Sequence, residues 1–213
     1  MRTPDLIDIL AADTQAVAPG AAPRWLAMAA AGGAAIALAL VLMWLKPRPD
    51  LAAAMHGDFF WIKATYTAAL GVAGFWATER LARPGVSWRL PALMGLIVLA
   101  GFGLMAVMQF APMDGAARMA AMRGVSWTVC TRNIVVLAAP MTLICLYVLR
   151  QLAPIRPMLA GFAAGAFAGG VAATVYGLHC PEATFVFVGL WYTLGVAVSG
   201  LIGAGLGRFL LRW

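Results

Sequence analysis

Six stretches of about 20 mostly apolar residues, each long enough to cross a hydrocarbon core as a helix, recur along this chain at 25–45, 59–79, 90–111, 133–150, 157–178 and 185–207. Inside a bilayer every backbone N–H and C=O must be satisfied within the protein, which leaves helices and closed barrels as the only spanning structures. The length and composition of these stretches fit the helix. Only 11% of the residues are charged, against roughly a quarter in a soluble domain. The predicted fold class is therefore all-α: a polytopic membrane protein with a six-transmembrane-helix bundle at 25–213 and a short cytoplasmic N-terminal helix within a tail at 1–24.

The loops set the orientation. Arg2, Arg24, Arg80, Arg83, Arg89, Arg150, Arg156, Arg208 and Arg212 fall on one side of the predicted bundle. Lys46, Arg48, Arg118, Arg123 and Arg132 fall on the other. Cytoplasmic loops carry the excess of Lys and Arg, so both termini are expected in the cytoplasm of a bacterial inner membrane. Trp25, Trp44, Trp61, Trp76, Trp127 and Trp213 lie near span ends, as interfacial aromatics do. The formal charge of +7 follows from this topological use of basic residues. It forms no stripe interleaved with exposed aromatics, so direct nucleic-acid binding is not expected. The first 23 residues contain Asp5, Asp8 and Asp13 and lack a basic start and an apolar core segment, so they are expected to stay on the mature protein.

Small residues at every fourth position mark where helices approach closely. Gly161, Gly165, Gly169, Ala173 and Gly177 line the fifth span, and Gly195, Ser199, Gly203 and Gly207 the sixth, which predicts a tight hairpin closed by "HCPEAT". Pro140 is expected to kink the fourth span. Lys63 is the one intramembrane ionisable residue, and it lies near enough to the start of span two to snorkel to the outer interface. A small transporter or metal-handling membrane protein is the rival class, but spans broken at matching places, which would mark a transporter, are not evident. Enzyme signatures are also missing: no Gly-Lys-Ser/Thr phosphate loop, no His-Glu-x-x-His and no Cys-x-x-Cys.

Chemistry concentrates in three places. Cys145, within "TLICLYV", reads as a small apolar packer. Cys130 precedes span four and Cys180 follows span five, so two crossings put them on the same side of the membrane. The charge count makes that side the oxidising periplasm. The residues leave three readings open: a structural disulfide, a redox-sensing thiol pair, or a heavy-metal site in which His179 and Glu182 add imidazole and carboxylate donors. Pro181 ends span five and fixes the turn that presents Cys180. No resident cofactor is expected beyond a transient heavy-metal ion at Cys130 and Cys180.

The tail is the third place. Thr3 caps, Pro4 suits the first helical position, and Asp5 faces the positive end of the helix dipole. Leu6, Ile9 and Leu10 gather toward one face, with Asp5, Asp8 and Asp13 supplying charge. Helices that lie on anionic lipid are usually basic. An acidic one suits a groove on a basic soluble protein instead, and the residues alone fit a frayed, solvated tail equally well.

With "TPDLIDILAAD", Cys130, "LHCPE", "LWYTLG" and the ending "GRFLLRW" in hand, the chain resembles the NrsF-like family of membrane anti-sigma factors. These are negative regulators of an extracytoplasmic-function sigma factor. The resemblance implies six spans, membrane lipid around them, and a cytoplasmic tail that sequesters the sigma factor. It also implies that a periplasmic cysteine pair, here Cys130 and Cys180, responds to heavy-metal or oxidative stress. On that basis, oxidation or metal binding at the pair is expected to shift spans four and five against the glycine ridges and release the sigma factor from the tail.

Overall fold

The computed structural model describes residue 3 and residues 20–212. The tail positions Asp5, Leu6, Asp8, Ile9, Leu10 and Asp13 lie outside the described residues. Among the described residues every regular element is a helix. The order is α1 (Ala21–Leu40), extended by a π turn at Val41–Leu45; α2 (Leu51–His56); α3 (Asp58–Leu81); α4 (Arg89–Phe110); α5 (Gly115–Arg123); α6 (Trp127–Gln151); and α7 (Pro157–Tyr176). The chain then runs through α8 (Phe185–Phe187) and a second π turn, Val188–Tyr192, into α9 (Thr193–Leu210).

Five helical runs are long and apolar enough to cross a membrane: Pro23–Leu45, Arg89–Phe110, Gly115–Gln151, Pro157–Tyr176 and Phe185–Leu210. Helix α3 is 24 residues long, yet it is less apolar than these five. It turns Lys63, Thr67, Thr78 and Glu79 into the protein, where each is buried. A helix that hides polar groups among its neighbours can carry more of them than one facing lipid.

The expected boundaries hold less well around the fourth span. The long third loop contains α5, capped by the Asp114 carboxylate accepting from Ala117 N at 2.8 Å. Helix α6 then starts at Trp127 and continues through Pro140. Cys130 consequently sits within a helix rather than ahead of one.

Helix α7 is the hub. It packs against α9, α3, α6 and α1, and 61% of its apolar window is buried, against 11% for the peripheral α4. Its sequence explains the difference, because alanine and glycine at most positions let four partners come close. A Cβ on Gly161 would overlap Gly203 O and lie 3.0 Å from Gly207 Cα; one on Gly169 would stand 2.9 Å from Val196 Cα. Two members of the predicted ridges look elsewhere. Gly195 faces Ile134 of α6, and Gly177 faces Thr174 O and the Lys63 side chain. The largest fully buried side chains include Leu26, Ile134, Met141, Tyr176, Phe187 and Tyr192.

Candidate functional site: a buried thiol pair at one end of the bundle

The C-terminal end of α7, the N-terminal ends of α3 and α6, and the second π turn converge on Cys130 and Cys180. Both thiols are free and fully buried, 0% exposed. They lie within hydrogen-bonding reach of each other. Tyr176 and Tyr192, also 0% exposed, bring their hydroxyls beside Cys130 and Cys180 respectively. Neither hydroxyl has the alignment of a full hydrogen bond, and Asn133 Oδ1 is likewise without a partner. The π turn contributes here: one extra residue in the helical ring re-aims the side chains that follow, and such turns collect at functional sites.

Lys63 is the main correction to the sequence reading. Its side chain does not reach for the interface. It is 2% exposed, and Nζ donates to Cys180 O at 3.0 Å and Glu182 O at 3.2 Å. The Tyr192 ring lies 5.7 Å from Nζ, near enough for a cation–π contribution. The ammonium therefore clasps the turn around Pro181 from below. A buried charge is tolerated only where several polar partners replace its water, and two loop carbonyls supply that here.

The loops close the site from above. Glu182 Oε1 accepts from Val125 N at 2.7 Å, Ser126 N at 3.0 Å and Ser126 Oγ at 3.0 Å. Gly124, at φ 51, makes this possible, since a Cβ there would enter the Glu182 carboxylate. Ser126 Oγ also lies 3.7 Å from Cys180 Sγ. On the far side His179 Nδ1 donates to Lys46 O at 2.7 Å, and Arg48 N donates to Leu178 O at 3.0 Å.

The structure thus brings Cys130 and Cys180 together but gives His179 and Glu182 other work. His179 ties down the first loop and Glu182 latches the third. Among the described residues no group of three or more His, Cys, Asp or Glu is placed to hold a metal ion. Two thiols in mutual contact can still form a disulfide or offer two soft donors once the cover opens. Cys180 lies in the turn outside the helices, and its thiol is drawn below the ordinary range, chiefly by the Cys130 thiol bonded to it. Burial opposes this, and the Lys63 ammonium and the Tyr192 hydroxyl reinforce it. The ionised thiolate is the reactive form of a cysteine, and these surroundings favour ionisation at Cys180. Cys145 stands apart, buried in the core of α6.

The latch yields a direct expectation. Glu182→Ala leaves two backbone N–H groups and a hydroxyl without their acceptor, at a cost of about 2 kcal/mol. Labelling of Cys180 by N-ethylmaleimide in the purified protein should then speed up by roughly tenfold or more. An unchanged labelling rate would show that Glu182 does not hold the cover shut.

Comparison with known proteins shows the family. The family model described as a negative regulator of sigma F, NrsF, matches residues 10–213. The chain belongs to the NrsF family. Two relatives align along their whole length and along all of this chain. One is the anti-sigma-F factor NrsF of Caulobacter vibrioides, 51% identical; the other is the probable anti-sigma-F factor NrsF of Azospira oryzae, 42% identical. No solved structure matches.

Some members of this site carried a weak signal in the sequence. Asn133 lies three residues after Cys130, a spacing that shares a helix face, and Tyr176 is the last residue of α7, four before Cys180 in the turn that follows. Tyr192, Ser126 and the inward turn of Lys63 depend on contacts between segments far apart in the chain, which no local pattern encodes.

Proposed function

We propose that this chain is a membrane anti-sigma factor of six spans, with both termini in the cytoplasm of a bacterial inner membrane. The observation that carries the proposal is the 51% identity, from end to end, with a protein named anti-sigma-F factor. Residues 1–24 form the tail that sequesters an extracytoplasmic-function sigma factor, and residues 25–213 form the membrane domain. Leu6, Ile9 and Leu10 supply the apolar face, and Asp5, Asp8 and Asp13 the charge that meets a basic partner. Holding the sigma factor at the membrane keeps it from polymerase and DNA, and no catalytic step is needed.

Cys130 and Cys180 are the periplasmic sensor. Disulfide formation, with loss of two electrons and two protons to a thiol oxidant, or capture of a soft heavy-metal ion by the two sulfurs, removes the thiolate beside Lys63. That change biases the packing of α6 and α7, and through the α7–α9 contact it reaches the tail. A stimulus can shift such an equilibrium only by its different affinity for the two states. The burial of both thiols supports a sensor that stays closed until its cover moves. Lys63 is engaged by two carbonyls, which supports a structural role over an ion pathway.

The test is co-purification of the sigma factor with the full-length chain from solubilised membranes. Leu6→Asp with Leu10→Asp should abolish retention while leaving the membrane domain folded. Cys130→Ser and Cys180→Ser should each fix retention at one level whether or not oxidant or a soft metal ion is added. Retention untouched by the tail variants would sink the tail assignment. A normal response in both serine variants would sink the sensor.

A further inference from the structure

At the end of the bundle opposite the thiols, the peripheral helix α4 stands away from α3 and α7 and leaves an apolar slot of about 350 Å³. Its walls include Gly74, Ala77, Pro91, Leu96, Ala163 and Val196. All three helices contribute apolar side chains to it, among them Leu70 and Leu81 of α3, Leu99 of α4 and Phe162 of α7. Leu81 and Trp88 end the slot, and they also line a second, more polar cavity of about 550 Å³ that contains Arg83, Arg89 and Arg156. Arg83 is ion-paired with Glu79. Arg89 and Arg156 are exposed at the rim. Trp88 is half-buried between the two cavities, at the level where an indole marks the boundary of lipid and water.

We propose that this joined pair of cavities is a binding site for an anionic phospholipid, with one acyl chain in the slot and the phosphate between Arg89 and Arg156. Each half selects a different part of the same molecule. The slot is apolar and of ligand size, yet alone it would accept any lipid tail. The rim is basic, and guanidinium groups bind phosphate oxygens in a planar, two-point geometry. Alone it would accept a free phosphate. Basic pockets between spans are where acidic headgroups are recognised, and the continuity of the two cavities through Trp88 favours a lipid over a free anion. A lipid bound there would brace α4, the least buried of the spanning helices, against α3 and α7.

The experiment is native mass spectrometry of the full-length chain, delipidated in detergent and offered phosphatidylglycerol or phosphatidylcholine of identical acyl chains. One equivalent of phosphatidylglycerol should survive release from the micelle while phosphatidylcholine is lost. Arg89→Gln with Arg156→Gln should cut that retention by roughly tenfold, and Ala77→Trp, which fills the slot and leaves the arginines in place, should do the same. The arginine variants alter only exposed side chains, so they decide the matter even if Ala77→Trp does not fold. Millimolar inorganic phosphate should not compete. Equal retention of the two lipids, indifference to the arginine variants, or displacement by phosphate would overturn the proposal. So would retention only after deletion of residues 1–19, which would give the site to the chain's own tail.

Discussion

Lys63→Met is expected to loosen the thiol end of the bundle and to move the reactivity of Cys180 to higher pH. Methionine fills similar space, so the change removes charge and donors more than volume. Two carbonyls, Cys180 O and Glu182 O, lose the ammonium that bonds them at 3.0 and 3.2 Å. Hydrogen bonds to a charged group contribute about 1.5–3 kcal/mol each. Against that stands the cost of burying the ammonium, which the variant recovers. The carbonyls lie in a turn at the bundle end, where water can reach them once the turn lifts. The net loss should accordingly be about 2–4 kcal/mol, read as a lower midpoint in thermal unfolding of the detergent-solubilised protein.

The pH effect has a definite sign. Cys180 is an acid held below its ordinary pKa, so its ionised form stabilises the fold fully above the ordinary thiol value. That contribution is lost as pH falls through the lower, folded value. Lys63 favours the ionised form, although the bonded Cys130 thiol does more. Removing the lysine should therefore shift the Cys180 alkylation profile upward, while Cys130→Ala, which removes the donor, shifts it further. A profile unmoved by Lys63→Met would mean that the ammonium serves the carbonyls alone.

The all-helical fold and its long apolar helices were plain from the sequence, because a hydrocarbon core asks for a fixed length of apolar chain. Helix boundaries followed closely for α1, α4, α7 and the α8–α9 run. The start of α6 did not, since Trp127 to Arg132 is polar enough to read as loop, yet it is helical and packs on Trp191 through Trp127 and Thr131. The pairing of Cys130 with Cys180 was legible as a same-side relation by counting crossings. Their contact, and the capture of the turn by Lys63 and Glu182, were not. Those contacts join residues 50 or more positions apart, and the sequence records only that polar groups are scarce and placed near span ends. Lys63 illustrates the difficulty: a lysine one turn into a span looks the same whether its neighbours are lipid headgroups or backbone carbonyls.

The glycine ridge makes the second large prediction. At Gly165 a Cβ would overlap Ser199 O and stand 2.9 Å from Ser199 C and 3.0 Å from Gly200 Cα. All three are backbone atoms of α9, so no rotamer change relieves the contact. Gly165→Val must push α7 and α9 apart along a face where close backbone approach is the main source of cohesion. Overpacking of this kind typically costs about 1–3 kcal/mol and more where backbone must move, so Gly161→Val with Gly165→Val should prevent stable folding or lower the midpoint severely. The useful contrast lies within the same protein. Gly32 and Gly205 have nothing within 4 Å of an added Cβ, and alanine there should stabilise its helix by up to about 1 kcal/mol through propensity. Because α7 ends at the thiol site, milder separation by Gly165→Ala should also raise the labelling rate of Cys180, whereas Gly205→Ala should not. If Gly165→Val unfolded at the wild-type midpoint, α7 and α9 could not be packed backbone to backbone, and the mechanical link from the thiols to the rest of the bundle would lose its basis.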